Sequence, residues 1–124
     1  MAIRVLKSDE GEPAERSGAA IFEGGQVWAR TLAGVGTDQL TVTMVQFGAG
    51  ARAAWHTHST DQVLYVVSGI GKVGDRDGER VISAGDTVVI PAGVEHWHGA
   101  YDTGWPMSHI AIMPAGSQAT VLNG

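Results

Sequence analysis

His56 and His58 stand two residues apart in the segment AAWHTH, and His96 and His98 repeat that spacing in EHWH. Side chains alternate between the two faces of a β-strand, so each pair presents both imidazoles to one side. Two imidazoles on one face can share a single partner. Gln62 follows the first pair after the polar turn Ser59-Thr60-Asp61 and can fold back beside it as a further ligand. A single HxH is ordinarily no more than exposed polar surface, but two such pairs on separate strands are hard to explain that way. The chain has five histidines, all beyond residue 55, and no cysteine. Disulfides and thiolate sites are excluded, so a bound metal must use imidazole, amide or carboxylate groups. Three imidazoles and an amide oxygen suit Mn, Fe, Co, Ni or Zn and leave one or two positions for water or substrate.

The elements that must hold these residues read as short strands. A length of 124 residues suits one domain, and 18 glycines beside 44% hydrophobic residues favour tight turns over long helices. Residues 1–18 read as an N-terminal arm, with Ile3 to Leu6 as a candidate edge strand and Ser8 to Gly18 as loop; residues 19–124 form the barrel domain. Ala19 to Phe22 and Val27 to Leu32 are parted by Gly24-Gly25 in a hairpin or a bend, and Val35 to Gln39 reads as a polar turn. Leu40 to Phe47 is a clear strand, with apolar side chains on both parities. Ala53 to His58 is expected to be one strand, and Asp77-Gly78 a hairpin turn returning through Glu79 to Ile82. Thr87 to Ile90 reads as a buried strand, and Glu95 to Gly99 and Met107 to Met113 complete the set. Nine or ten turn-bounded strands without an amphipathic helix imply an all-β sandwich or barrel.

The pattern of these segments resembles a small single-domain cupin. The first cupin motif is Gly, five residues, His-x-His, three or four residues, Glu, six residues, Gly; Gly50, His56, His58, Gln62 and Gly69 meet it, with Gln in place of Glu. The second is Gly, five residues, Pro-x-Gly, two residues, His, three residues, Asn. Gly85, Pro91, Gly93 and His96 match it, and Ala100 stands where Asn is usual. The resemblance implies a double-stranded β-helix, a jelly-roll barrel, with a divalent metal (manganese or iron foremost) held by His56, His58, Gln62 and His96. AWHTH, Gln62, HWHGA and SHIAI are also similar to the cupin hydroxynitrile lyases, whose metal set is three His and one Gln. That likeness implies that His98 and His109 line the substrate site as acid/base residues. Strand parity independently turns His98 to the face of His96.

A Glu ligand would cancel one unit of the metal's charge, whereas Gln62 leaves the full +2 and so favours Lewis-acid chemistry over oxidation. The expected function is a metal-dependent lyase acting on a small hydroxy or carbonyl substrate, hydroxynitrile lyase-like. The alternatives are an Fe(II) dioxygenase, an aromatic polyketide cyclase and a non-catalytic small-ligand-binding cupin. Leu64 and Val66 share the face of Gln62 and are expected to line the pocket. Trp55 and Trp97 alternate with the inward histidines and are expected in the barrel wall or outside it. Val63, Tyr65 and Val67, with Ile110 and Ile112, would leave an apolar outer face that implies a homodimer. A net charge of −5 without a basic face argues against nucleic acid as a partner. The charged N-terminus and the lack of a membrane-length apolar segment imply a cytoplasmic location without membrane association.

Overall fold

The computed structural model describes residues 3–33 and 39–123. Its strands are β1 (Ala14–Glu15), β2 (Phe22–Glu23), β3 (Val27–Ala33), β4 (Leu40–Phe47), β5 (Arg52–Ala53) and β6 (His56–His58), followed by β7 (Gln62–Asp75), β8 (Gly78–Ser83), β9 (Thr87–Ile90), β10 (His96–Gly99), β11 (Met107–Pro114) and β12 (Ala119–Val121). The expected all-β architecture forms, as one curled antiparallel sheet with the order β1-β3-β4-β11-β7-β10-β5-β2. No helix occurs among the described residues, and none could cross a membrane.

The curl is made by β7, whose 14 residues serve two layers. Its first half pairs with β9 and β11, and its second half with β8 and β10. The corner falls at Gly69, which has a φ of +80° and lies so close to β11 that a Cβ there would stand 1.9 Å from the Pro106 carbonyl oxygen. Only glycine satisfies both demands. The inner faces meet in a core of Val27, Val45, Phe47, Val66, Ile82 and Met107, with a second cluster of Leu64, Ile90 and Ala111. Phe47, Leu64 and Met107 are nearly or wholly buried, each contributing about 1.5–3 kcal/mol of hydrophobic stabilisation. Packing settles which face of Leu40 to Phe47 is inward, with Val45 and Phe47 turned to the core.

Several expected segments differ. Ile3 to Leu6 is not a strand: Ile3 is 93% exposed, and the short strand in the arm is β1, paired with β3 through Ala14↔Ala29 and Glu15↔Trp28. Hydrogen bonds decide this. Arg16 N–H donates to Val27 O at 2.7 Å, and Val27 N–H donates to Ser17 Oγ at 2.8 Å. Arg30 then ties the preceding chain down through the carbonyls of Lys7 and Glu10. Ala19 to Ile21 is a turn, and Gly24-Gly25 makes a bend, since β2 leaves to pair with β5 while β3 pairs with β4. The expected turn at Val35 to Gln39 falls, but for Gln39, outside the described residues. Ala53 to His58 is broken between β5 and β6, although His56 and His58 keep one face. Thr87 to Ile90 is only half buried, with Val89 66% exposed, because Thr87 and Val89 have the outward parity and β9 pairs with β7 alone among the described residues.

Candidate metal centre

β6 and β10 lie side by side with His56 opposite His96, so parity places His56, His58 and His96 on one inner surface. Each offers a ring nitrogen within 4.8 Å of the others, and all three side chains are buried. Two are aligned from behind. The Nδ1–H of His56 donates to Ala54 O at 2.6 Å and that of His96 to Val94 O at 2.8 Å, which leaves both Nε2 lone pairs facing inward. Among the described residues those two buried Nε2 atoms have no hydrogen-bond partner, nor has Oε1 of Gln62, a residue 3% exposed at the start of β7. A buried acceptor without a donor costs about 1–3 kcal/mol. Acceptors gathered without donors fit a cation, and the donor set (imidazole and amide, with no thiolate) suits a divalent transition metal. Gln62 itself is steadied by its Nε2–H donating to Met113 Sδ at 3.7 Å.

His98 and His109 form a second layer. Nε2 of His109 and Nδ1 of His98 are hydrogen-bonded at 3.0 Å, with His109 fully buried and His98 5% exposed. His98 lies nearer the three-histidine group, its ring centre 5.4 Å from that of His56 and 5.7 Å from that of His96. His109 packs on Phe47 at 5.3 Å. Among the described residues Nε2 of His98 has no hydrogen-bond partner. Every histidine is held below the ordinary imidazole range, mainly by burial: His56 and His109 at about 4, and His98 well below 6.5, where its neighbour His109 adds to the effect. His58 and His96 are lowered in the same way, and His96 presses further on His58. The group is therefore neutral near pH 7, the state in which imidazole ligates a metal.

Beside His96 a half-open cleft of about 530 Å³ lies between β8 and β9, its lining part aliphatic (Val73, Val88, Ile90, Val94) and part charged (Asp75, Asp77, Glu79, Arg80). Its volume lies in the range of small-molecule sites. Leu64 and Val66 are both 0% exposed, one in each core cluster, and are not among the residues that line this cleft. Trp97 is packed into the wall, with the Arg52 guanidinium 5.0 Å from its ring centre, and Arg76 covers Trp55 at 3.8 Å. Met113 beside Gln62 carries only one sequence signal, the parity it shares with His109 and Ala111 on β11. The Ala54 and Val94 carbonyls carry no sequence signal, because backbone atoms belong to every residue.

A family model described as Cupin domain matches residues 43–113, more than half of the chain and the whole histidine constellation. A cupin-like protein of known structure from Thermotoga maritima is 33% identical, covers 92% of this chain and 86% of its own, and superposes with a TM-score of 0.78. A polyketide cyclase from Streptomyces resistomycificus shares the fold, with a TM-score of 0.81 at 18% identity over 98% of this chain and 86% of its own. An (R)-mandelonitrile lyase from Granulicella tundricola is 47% identical over 70 residues, 55% of this chain and 52% of that protein, so the match spans about half of that relative. Curled sheet, buried three-histidine group, matching family model and related structures agree, and the chain belongs to the cupin family.

Proposed function

We infer that this cupin is a metal-dependent lyase acting on a small hydroxy or carbonyl compound, with cyanohydrin cleavage as its most specific form. The observation that carries this reading is the His98–His109 pair, two buried imidazoles joined at 3.0 Å beside the three-histidine group. The partial identity to a mandelonitrile lyase supports the same chemistry. His56, His58 and His96, with Gln62 as fourth ligand, would hold a divalent ion, manganese or iron foremost. When bound, such an ion supplies Lewis-acid charge that acidifies a hydroxyl set against it, undiminished by this neutral ligand set.

The proton work falls to His98. Because burial keeps it neutral, its unpartnered Nε2 can offer a lone pair while its Nδ1–H donates to Nε2 of His109. The substrate O–H proton passes to Nε2 of His98, the carbon–nitrile bond breaks, the carbonyl forms and cyanide leaves with the electron pair. Passing the Nδ1 proton on to His109 moves the positive charge away from the ligands. Return of both protons along the same path restores His98 and releases HCN. His98 thus meets substrate, and His109 positions it and relays charge.

The test is benzaldehyde release from mandelonitrile by the metal-loaded chain against a metal-stripped control. His98→Ala is expected to lose about 100-fold or more in kcat/KM, the lower part of the usual range for a general base. His109→Ala should lose about tenfold and change the pH profile, as a positioning residue would. Equal activity in His98→Ala would overturn its role, and no turnover by the loaded protein would overturn the lyase reading.

We propose in addition that two copies pair through the outer sheet face, where Trp28, Tyr65, Val67 and Val89 are 39%, 45%, 42% and 66% exposed. Sedimentation at micromolar concentration should give twice the chain mass; a clean monomer would remove the proposal.

A further inference from the structure

Met113 stands one step beyond the β11–β7 register pair Ile112↔Val63, which sets it opposite Gln62 at the start of β7. Both have the inward parity, Gln62 with Leu64 and Val66, Met113 with His109 and Ala111. Side chains directly opposite on neighbouring strands have Cβ atoms roughly 5 Å apart, so the pairing of the strands brings these two together. On its other side Met113 pairs with Thr41 of β4, whose Oγ1 donates to the Met113 carbonyl oxygen at 3.3 Å. The methionine backbone is thereby held, and its Sδ accepts from Nε2 of Gln62 at 3.7 Å.

An amide ligand raises a difficulty that a carboxylate does not. Either oxygen of a Glu can face a cation, but a Gln has one acceptor end and one donor end of nearly the same shape. Turned over, Gln62 would aim N–H groups where a ligand oxygen belongs, and a cation repels them. The orientation present is the productive one: Oε1, without a hydrogen-bond partner among the described residues, is left for a cation, and the N–H end lies against sulfur. A thioether has lone pairs and no proton, so it can accept from the donor end of the amide and has nothing to offer the oxygen. A hydroxyl or a second amide in that place could satisfy either end. Sulfur therefore discriminates between the two orientations, and a hydrocarbon would not.

We propose that Met113 is a positioning residue for Gln62, its thioether selecting the amide orientation that offers Oε1 to the metal. The proposal rests on Gln62 as a ligand and is independent of the reaction that the centre performs. It ties two residues of this chain together: a Gln where the cupin motif has Glu needs an orienting acceptor, and β11 supplies one.

The experiment challenges the full chain, loaded with Co(II), with a chelator of known affinity; the visible absorption of the bound ion reports its ligand set. Met113→Leu keeps size and apolar character and removes the acceptor. Its affinity for Co(II) is expected to fall about tenfold, the lower end of what loss of a supporting group costs, with a changed absorption spectrum. In a Gln62→Glu chain the same substitution should leave affinity within about twofold, the scatter of independent changes, because a carboxylate needs no orienting. A loss of equal size in the Gln62→Glu chain would overturn the proposal, since Met113 would then act on the metal or the fold and not through the amide. Undiminished affinity in Met113→Leu, where Gln62→Ala has lost it, would overturn it as well. Undiminished affinity in Gln62→Ala would remove Gln62 from the ligand set and the role of Met113 with it.

Discussion

His96→Ala is expected to strip the protein of its metal, weakening affinity by more than about 100-fold, beyond the losses usual when only a supporting group is changed. His96 is 1% exposed, its Nδ1–H is fixed on Val94 O at 2.8 Å, and its Nε2 has no partner among the described residues. Removing it leaves two imidazoles and an amide, and opens the ligand set toward the cleft that His96 walls. Thermal stability should then stop responding to added metal, since ligand-linked stabilisation, about 2.7 kcal/mol at a hundredfold excess over Kd, requires a site in the folded state. Elemental analysis of protein purified without chelator checks the content, and a melt of the metal-free variant checks that it folds. Undiminished metal in a folded variant would overturn the ligand assignment.

The metal-free protein is expected to lose its fold as pH falls from about 6.5 toward about 4, the window set by the ordinary histidine value and that of His56 and His109 in the folded chain. Above this window both folded and unfolded chains carry neutral imidazoles, and stability is whole. Within it the unfolded chain takes up protons that the buried rings refuse, so stability declines as pH falls. Below it these two groups are protonated in both states and cost nothing further. A shift of this size is worth about 3 kcal/mol for each ring, order of magnitude only, against a whole-domain stability of about 5–15 kcal/mol. His58, His96 and His98 are lowered too and act in the same direction. Added metal should move the acid midpoint to lower pH, because metal and protons compete for the same lone pairs. Tryptophan fluorescence followed through an acid titration, with and without metal, provides the measurement. Unchanged denaturant stability of the metal-free chain between pH 7 and pH 5 would contradict it.

Much of the site was legible because strand parity is a local rule. HTH and HWH place their histidines on one face wherever the strands lie, and the alternation of Leu64 and Val66 with Val63, Tyr65 and Val67 gives inside and outside in the same way. What parity cannot supply is partnership. Gly24-Gly25 allowed a hairpin or a bend, and only the pairing of β2 with β5 decided it. Ile3 to Leu6 has strand-forming residues, but Arg16, Ser17 and Arg30 anchor the arm elsewhere. Thr87 to Ile90 is apolar enough to be buried, yet it stands at an edge of the sheet. Leu64 and Val66 face inward as expected, but inward in a curled sheet includes core as well as cavity, and both lie in the core.

The sequence by itself determined an all-β cupin chain, the neutral ligand chemistry of histidine and glutamine, and which side chains share a face. These follow from residue type and from a two-residue period. Tertiary structure alone decided that β6 lies against β10 so that three imidazoles converge, and that His98 bonds His109 through Nδ1. Each of these depends on the register between strands distant in sequence. Register is set by the summed fit of the core and by the corner at Gly69, which no local pattern records.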